Sequence, residues 1–255
     1  MLDGVTAFVT GASQGIGREI ATTFADHGAN VALAARSDGI HETAALIGDD
    51  DRTLTVTTDV TDEESIATAI EETAETFGGL DSLINNAGIA GPTLPFDRID
   101  HEEFLKVQDV NVAGPLLCTK HAAPHLRESD RGSVINIGSI GGKRPFPNRT
   151  PYAASKMALI GLTRTLAYEL GRDDVTVNTV LPGPVAGERI EDVIEAQKRM
   201  TELENAEPSR VGDFAFDDPM IPPEDVAEQV AYLAGPNARK TTAQEIAVDS
   251  GGTWY

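Results

Sequence analysis

Cysteine is nearly absent from this 255-residue chain, because Cys118 is the only one. No disulfide can therefore form within the chain, and the apolar run around Cys118 predicts a small core residue rather than a catalytic thiol. Apolar runs of about 18 residues are also missing, so we expect no membrane-spanning helix. The N-terminus lacks the basic and apolar regions of a secretory leader, and we expect a cytoplasmic protein without membrane partners.

Lysine is scarce as well: six lysines and fourteen arginines stand against 41 acidic residues, and the formal net charge is −21. Such a surface repels phosphate backbones, so we expect no nucleic-acid partner. An acid-rich, lysine-poor composition is typical of proteins in concentrated salt, where the Debye length falls to about 3 Å. We therefore expect a halophilic, salt-adapted protein, and an ordinary acidic protein is the alternative.

Short β-like runs alternate with helical segments along the whole chain. The predicted strands are 5–10, 31–35, 54–57, 82–85, 133–137, 175–181 and 245–248. The predicted helices are 16–27, 40–47, 62–77, 101–126, 151–170 and 223–234. This alternation predicts parallel strands joined by right-handed crossovers. The expected fold class is α/β: a single-domain, Rossmann-like doubly wound parallel sheet in a three-layer α/β/α sandwich that spans residues 1–255. A chain of this length buries a sizeable core, so no metal site is expected.

Residues 187–222 interrupt the alternation. This acid-rich segment is inserted between the sixth strand and the next helix. An insertion at that point lies over the carboxyl ends of the strands, where folds of this kind bind ligands. We expect a substrate lid, and a peripheral helical excursion is the alternative.

A glycine-rich turn follows the first strand, with Gly11, Gly15 and Gly17 in the spacing G-x-x-x-G-x-G. Glycine lets the backbone turn tightly and approach a pyrophosphate closely. The helix that begins near Ile16 offers free N–H groups and the positive end of its dipole to such an anion. The position of the turn between strand and helix predicts a dinucleotide site.

The end of the second strand bears on the choice between the two nicotinamide cofactors. Sites selective for NAD place an acidic residue there, about 20 residues after the glycines. Ala35 stands at that position and Arg36 follows, and a guanidinium can bind a 2′-phosphate through two hydrogen bonds. The sequence therefore favours NADP(H) over NAD(H). Asp38 is close enough to keep NAD(H) open, and Arg36 in a surface ion pair is the alternative.

Tyr152 and Lys156 form a Y-x-x-x-K motif near the start of a predicted helix, which places both side chains on one face. A tyrosine with an ordinary pKa of about 10 is a poor base near neutrality, and a nearby ammonium group favours the phenolate. Ser139 follows the fifth strand, whose end meets the same crevice. A phenol, an ammonium and a hydroxyl at one site predict proton transfer to or from a substrate oxygen.

Together these motifs resemble the classical short-chain dehydrogenases/reductases over essentially the whole chain. The resemblance rests on motifs in the right order and spacing: 10–17, Asp59-Val60, Asn85–Gly88, Asn111, Ser139, Tyr152-x-x-x-Lys156, Pro182-Gly183 and 249–252. It implies that Tyr152 is the acid–base group and that Lys156 holds the nicotinamide ribose. It also implies that Ser139 binds the substrate oxygen and that Asn111 completes a water relay to Lys156. For Asn111, the alternative is a polar helix residue with another partner.

The resemblance also assigns contacts with the cofactor, including adenine contacts at Asp59 and Val60. The expected cofactor-binding residues are Gly11, Ser13, Gln14, Gly15, Ile16, Gly17, Arg36, Asp59, Val60, Asn86, Ala87, Gly88, Tyr152, Lys156, Pro182, Gly183 and Val185. One position departs from the family, because Gly187 stands where a threonine is common. Backbone groups near Val185 would then serve in its place, or the segment that follows would sit differently.

The expected activity is an NADP(H)-dependent hydride transfer to or from a carbonyl or secondary alcohol, such as a ketone or sugar. The alternatives are a 3-oxoacyl-thioester reductase and an NADP-binding scaffold or sensor without turnover. Lys143 and Arg144 would attract an anionic substrate or would pair with nearby acids. The family implies a homotetramer or homodimer, and the small residues of the predicted helix 151–170 would allow close helix packing or face the sheet. These small residues are Ala153, Ala154, Ala158 and Gly161.

Overall fold

A computed structural model describes residues 1–204 and 214–253, and it contains one parallel sheet of seven strands. The strands are β1 (Thr6–Thr10), β2 (Asn30–Ala35), β3 (Thr53–Thr57), β4 (Ser82–Asn85), β5 (Ser133–Ile137), β6 (Thr176–Pro182) and β7 (Glu245–Val248). Their order in the sheet is β3-β2-β1-β4-β5-β6-β7. The predicted Rossmann-like α/β fold is confirmed, and each predicted strand boundary lies within one residue of the observed one.

Eight helices lie in the described part of the chain. They are α1 (Gly15–Asp26), α2 (Gly39–Ile47), α3 (Glu63–Phe77), α4 (His101–Gln108), α5 (Gly114–Glu128), α6 (Thr150–Leu170), α7 (Glu188–Glu204) and α8 (Pro223–Ala234). The ends of α3 illustrate how sequence sets these bounds. The Asp62 carboxylate accepts hydrogen bonds from the N–H groups of Glu64 and Ser65, and Gly78 ends the helix at φ 81°.

The core has two halves, one on each face of the sheet. Successive residues of β1 point to opposite faces, so Val9 packs with α1 and α8 residues while Phe8 packs with α3 and α5 residues. Both side chains are fully buried. Burial on both faces is why the centre of β1, Ala7–Val9, is a continuous apolar run rather than an alternating one. Cys118 belongs to the second half, where burial raises the pKa of its thiol to about 12, so it is a core residue as expected.

The predicted helix 101–126 was wrong in one respect, because it is not continuous. A π-helical turn, Asp109–Ala113, separates α4 from α5. Pro115 lies just after this turn and has no N–H to donate to the carbonyl of Asn111, so one α-helical hydrogen bond is missing at the junction. The turn places Asn111 in the interior, with only 1% of its surface exposed.

The two ends of the inserted segment 187–222 lie next to each other. Its flanks meet where Ile221 N–H donates to the Pro184 carbonyl at 2.8 Å and Ala186 N–H donates to the Ile221 carbonyl at 2.9 Å. Helix α7 occupies the first part, and residues 205–213 lie outside the described residues. The contact is at the carboxyl end of β6, so both ends of the segment are fixed beside the ligand edge of the sheet. Among the described helices, none is long and apolar enough to cross a membrane.

Candidate active site

The glycine-rich turn between β1 and α1 has a backbone geometry that favours glycine. Gly11 and Gly15 have φ values of 68° and 55°. A Cβ on Gly17 would lie 2.2 Å from the Gly11 carbonyl oxygen, so no side chain fits there. Gln14, at the N-cap of α1, makes no side-chain cap hydrogen bond, and the first turn contains no acidic residue. The start of α1 is thus suited to an anionic ligand, as predicted.

Asn86 and Thr10 fasten this turn to the end of β4. The Asn86 amide donates to the carbonyls of Thr10 at 2.9 Å and Gly11 at 3.2 Å. The Thr10 hydroxyl accepts from the N–H groups of Asn86 at 2.9 Å and Ala87 at 3.0 Å. The side chain of Asn86 therefore holds the backbone of the predicted nucleotide loop in place.

Arg18 and Thr43 support the same loop, and sequence reasoning missed both. The Arg18 guanidinium donates to the Ser13 carbonyl at 2.6 Å and to the Thr43 hydroxyl at 3.1 Å. Thr43 donates to the Ala12 carbonyl at 2.8 Å. Glu42 is the carboxylate partner of Arg18 at 2.8 Å. Arg18 and Thr43 are 25 positions apart in the sequence, and no local motif indicated their contact.

Arg36 and Asp59 lie side by side at the ends of β2 and β3. The guanidinium Nη1 is 3.5 Å from the Asp59 carboxylate, and the Arg36 side chain is 69% exposed. Hydrogen bonds from the Thr61 N–H and hydroxyl, together with the Arg36 charge, lower the pKa of Asp59. The surface ion pair considered for Arg36 is therefore present, and its exposed guanidinium is also accessible to a ligand. Asp38 is exposed at the start of α2.

Tyr152 and Lys156 come together on α6, as the Y-x-x-x-K spacing predicts. The Lys156 Nζ lies 5.6 Å from the centre of the Tyr152 ring and donates to the Ile137 carbonyl at 2.8 Å. Lys156 is only 5% exposed. Its ammonium group therefore bridges the tyrosine and the end of β5.

Ser139 lies just beyond that strand end and begins the turn Ile140–Gly142. Its hydroxyl oxygen accepts from the Gly141 N–H at 3.0 Å. A Cβ on Gly142 would lie 2.8 Å from the Lys156 carbonyl carbon, so the turn packs directly against α6. The described structure thus brings Ser139, Tyr152 and Lys156 to one end of the sheet.

Asn111 has protein partners for its whole amide group. It accepts from the Ile89 N–H at 2.8 Å and donates to the Ile89 carbonyl and the Ser155 hydroxyl, each at 3.0 Å. The alternative considered for Asn111, a polar residue with other partners, therefore describes its side chain. A Cβ on Gly88 would lie 3.1 Å from Asn111 Oδ1 and 3.7 Å from Lys156 Nζ, so these groups are close neighbours. A water relay stays a prediction.

The remaining predicted cofactor positions flank this centre. Val60 lies against Gly114 at the start of α5, where a Cβ would be 3.1 Å away. Gly183 N–H donates to the Val248 carbonyl at 2.9 Å, and Val185 pairs with Ile221. Gly187 has φ 137°, a conformation in which a threonine would be strained. The glycine at this family position is thus what the local backbone requires.

The basic residues near Ser139 have partners within the protein. Lys143 Nζ lies 3.0 Å from the Glu245 carboxylate, which also binds Arg164. Burial raises the pKa of Glu245, but the two cations outweigh it and the net effect is a lowered pKa. Arg144 donates to the Gly252 carbonyl at 2.7 Å and lies over the Phe214 ring at 5.4 Å. Pairing with an acid, one of the two expectations, therefore holds for Lys143.

Comparison with known proteins gives whole-chain matches. A family model described as enoyl-(acyl carrier protein) reductase matches residues 11–253. The chain is 36% identical to cis-4-hydroxycyclohexanecarboxylate dehydrogenase of Sinomonas cyclohexanicum, covering 97% of this chain and 96% of the relative. It is 33% identical to a 3-oxoacyl-[acyl-carrier-protein] reductase of Vibrio cholerae, with 98% of each covered. The structure of a short chain dehydrogenase from Mycobacterium paratuberculosis bound to NAD is 33% identical, has a TM-score of 0.92, and the match covers 100% of this chain and 99% of that one.

Proposed function

Because the chain belongs to the short-chain dehydrogenase/reductase family, we propose that it is an NADP(H)-dependent oxidoreductase acting on a carbonyl or secondary alcohol, such as a ketone or sugar. The observation that carries the proposal is the buried Lys156 ammonium group, which lies between the Tyr152 ring and the strand end that leads to Ser139. A lysine is seldom buried unless its charge has partners. Here its position serves a proton-transferring tyrosine.

The residues present fit a nicotinamide dinucleotide. The space around Gly15 is open, and no side chain fits at Gly17. The Gln14 side chain does not cap the start of α1. Ser13, Ile16 and the other expected loop residues would hold the pyrophosphate, and Asp59, Val60 and Asn86–Gly88 would line the adenosine side. Pro182, Gly183 and Val185 would contact the nicotinamide end. When bound, the cofactor supplies a hydride to a carbonyl or accepts one from an alcohol.

Four side chains would take part in the proton chemistry. The Tyr152 hydroxyl donates a proton to the substrate oxygen during reduction and accepts one during oxidation. Lys156 holds its positive charge beside the phenol and orients the ribose. The Ser139 hydroxyl, whose oxygen already accepts from Gly141, donates its own hydrogen to the substrate oxygen. Asn111 fixes the loop after β4 and would join a water relay to Lys156.

Preference for NADP(H) is supported by Arg36, whose guanidinium is exposed at the end of β2. It is also supported by Ala35, which stands where NAD-selective sites have an acidic residue. A 2′-phosphate would compete for Arg36 with the single carboxylate of Asp59. An ion pair this exposed is worth roughly 0–1 kcal/mol, so a phosphate can displace it readily. The bound NAD of the mycobacterial relative makes cofactor preference a quantity to measure for this chain.

A neutral substrate is favoured over one on a phosphate-bearing carrier. Lys143 is paired with Glu245 and Arg144 with a carbonyl and a ring, so two cations near the mouth are already engaged. The net charge of −21 would also repel an acidic carrier. The 3-oxoacyl-thioester alternative has the Vibrio cholerae relative in its favour, and it belongs in the same substrate panel.

A substrate panel monitored by oxidation of NADPH and NADH, in high and low salt, tests the proposed function. We expect turnover with ketones or sugar lactols, faster with NADPH, and little with acyl thioesters. Turnover of acyl thioesters alone would replace the leading proposal with its alternative. NADPH binding without turnover of any panel member would instead favour a scaffold or sensor.

Two properties of the whole protein are proposed with it. Salt adaptation is supported by the excess of acids, and a melting temperature that is equal with and without molar KCl would contradict it. A homotetramer or homodimer is supported by Ala154, Ala158 and Gly161, which are exposed on α6 rather than facing the sheet. Such small residues allow a second helix to approach closely. A monomeric mass by light scattering would contradict the oligomer.

We also propose that residues 187–222 close over the substrate. The support is that the segment leaves and returns at Val185 and Ile221, beside the ligand edge of the sheet. Limited proteolysis should cleave the segment more slowly when NADPH and substrate are both bound. An unchanged cleavage rate would favour a peripheral excursion.

A further inference from the structure

Arg149 is a buried arginine that no motif pointed to. It lies at the N-cap position of α6, three residues before Tyr152, and only 2% of its surface is exposed. Arginine is almost never fully buried unless its charged group has specific partners. Its burial next to the proposed acid–base group therefore implies specific partners for the guanidinium group.

The contacts of Arg149 join two separate parts of the site. Its Nη1 donates to the Thr93 hydroxyl at 3.1 Å, and its Nη2 donates to the Ala90 carbonyl at 3.0 Å. Both partners belong to the loop between β4 and α4. The centre of the guanidinium lies 5.2 Å from the Tyr152 ring centre and 5.5 Å from that of Phe146. A planar, forked cation can make both kinds of contact at once.

Phe146 extends this arrangement towards Ser139. The Phe146 and Tyr152 rings meet edge to face, with centres 6.2 Å apart. A Cβ on Gly141 would lie 2.8 Å from Phe146 and 3.3 Å from the Ser139 hydroxyl, so the phenylalanine packs against the turn that Ser139 begins. Arg149 therefore contacts the tyrosine ring directly and reaches the serine turn through one aromatic side chain.

The loop after β4 is fixed at three points. Arg149 holds Ala90 and Thr93, Asn111 holds Ile89 through two hydrogen bonds, and Leu94 N–H donates to the Asn148 carbonyl at 2.9 Å. Of these anchors, Arg149 is the one whose side chain also contacts the Tyr152 ring. Asn111 reaches only the Tyr152 backbone, through the Ser155 hydroxyl, which donates to the Tyr152 carbonyl at 2.8 Å. The Arg149 guanidinium therefore links this loop directly to the tyrosine ring.

We propose that Arg149 is a positioning residue that sets the orientation of the Tyr152 ring relative to Ser139 by clamping it to the loop after β4. The inference rests on the proposed function, in which the Tyr152 hydroxyl must meet the substrate oxygen. A misplacement of about 1 Å can cost about a hundredfold in rate, so a clamp of this kind acts on kcat. Most of the expected cofactor contacts lie away from Arg149, at the glycine-rich turn and at the ends of β2 and β3, so we expect NADPH affinity to change little.

Arg149→Lys and Thr93→Val test the clamp, and Arg172→Met on the exposed turn after α6 is the control. For Arg149→Lys we expect kcat to fall about ten- to hundredfold, with the NADPH dissociation constant and the substrate KM changed less than about twofold. Thr93→Val keeps the cation and removes one hydrogen-bond acceptor, so kcat should fall less. The control should match the wild type in every measurement. Kinetics, NADPH fluorescence titration and thermal melting are measured on the same full-length preparations.

A purely structural role would lower the melting temperature of Arg149→Lys and leave kcat per folded enzyme unchanged, and that result would overturn the inference. An increase in KM without a change in kcat would overturn it as well. A wild type that binds NADPH but turns over no substrate would overturn the proposed function and this role with it. An active wild type with an unaffected Arg149→Lys variant would overturn the role of Arg149 alone.

Discussion

The two walls of the cleft are held in different ways. On the nucleotide side, the turn between β1 and α1 requires glycine at position 17, where Gly17 lies against the Gly11 carbonyl, and the Asn86 and Arg18 side chains brace this turn through its carbonyl groups. On the substrate side, the loops after β4 and β5 depend on buried side chains, with Asn111 and Arg149 as anchors. Position 17 of the glycine-rich turn has no room for any side chain. A wall built from side chains can be altered in smaller steps, because one contact can be removed at a time.

Gly17→Ala should have the largest effect on the nucleotide wall. A methyl group at Gly17 would overlap the Gly11 carbonyl, so the turn must open. Overpacking costs about 1–3 kcal/mol, and if the NADPH-binding form of the turn bears this cost, NADPH affinity should fall about five- to 150-fold. Gly171→Ala is the matched control, because nothing lies within 4 Å of a Cβ there. Equal NADPH binding by both variants would remove the distinction between the walls.

This difference also explains which features could be predicted from the sequence. The glycine turn, Ser139 and the Tyr152–Lys156 pair were predictable because each is a short local pattern at the end of a strand or the start of a helix. The support from Arg18 to Thr43 and from Arg149 to Thr93 was not, since these partners are 25 and 56 positions apart. The helix break at Asp109–Ala113 had a signal in Pro115, and periodicity alone concealed it.

Arg36→Ala should have an intermediate effect, confined to one cofactor. Loss of charge-assisted hydrogen bonds to a 2′-phosphate should raise the KM for NADPH about tenfold or more. The KM for NADH should stay the same or fall slightly, because NADH has no 2′-phosphate for the Arg36 guanidinium to bind. Steady-state kinetics with both cofactors provide the measurement. An equal loss with NADPH and NADH would mean that Arg36 acts only through its ion pair with Asp59.

Glu245→Gln should have the smallest effect, on the substrate wall. The lowered pKa of Glu245 means that its pairing with Lys143 and Arg164 stabilises the fold above the ordinary value of 4.5. That contribution disappears as the pH falls below this value and the carboxylate takes up a proton. We expect the variant to lose about 1 kcal/mol or less near neutrality, and this difference from the wild type should shrink as the pH falls below 4.5.

Glu195→Gln provides the comparison for that prediction, because Glu195 pairs with Arg199 on the exposed surface of α7. Its stability should match the wild type at both pH values, measured by denaturant unfolding. A stability difference for Glu245→Gln that grows as the pH falls would have the wrong sign for a carboxylate with a lowered pKa.

Tyr152→Phe tests the central claim most directly, since it removes one hydroxyl and keeps the ring that contacts Arg149 and Lys156. With a substrate that the wild type turns over, we predict a loss of kcat of about a thousandfold, and the NADPH dissociation constant should stay within about twofold. Turnover close to that of the wild type, with NADPH bound equally well, would contradict the account.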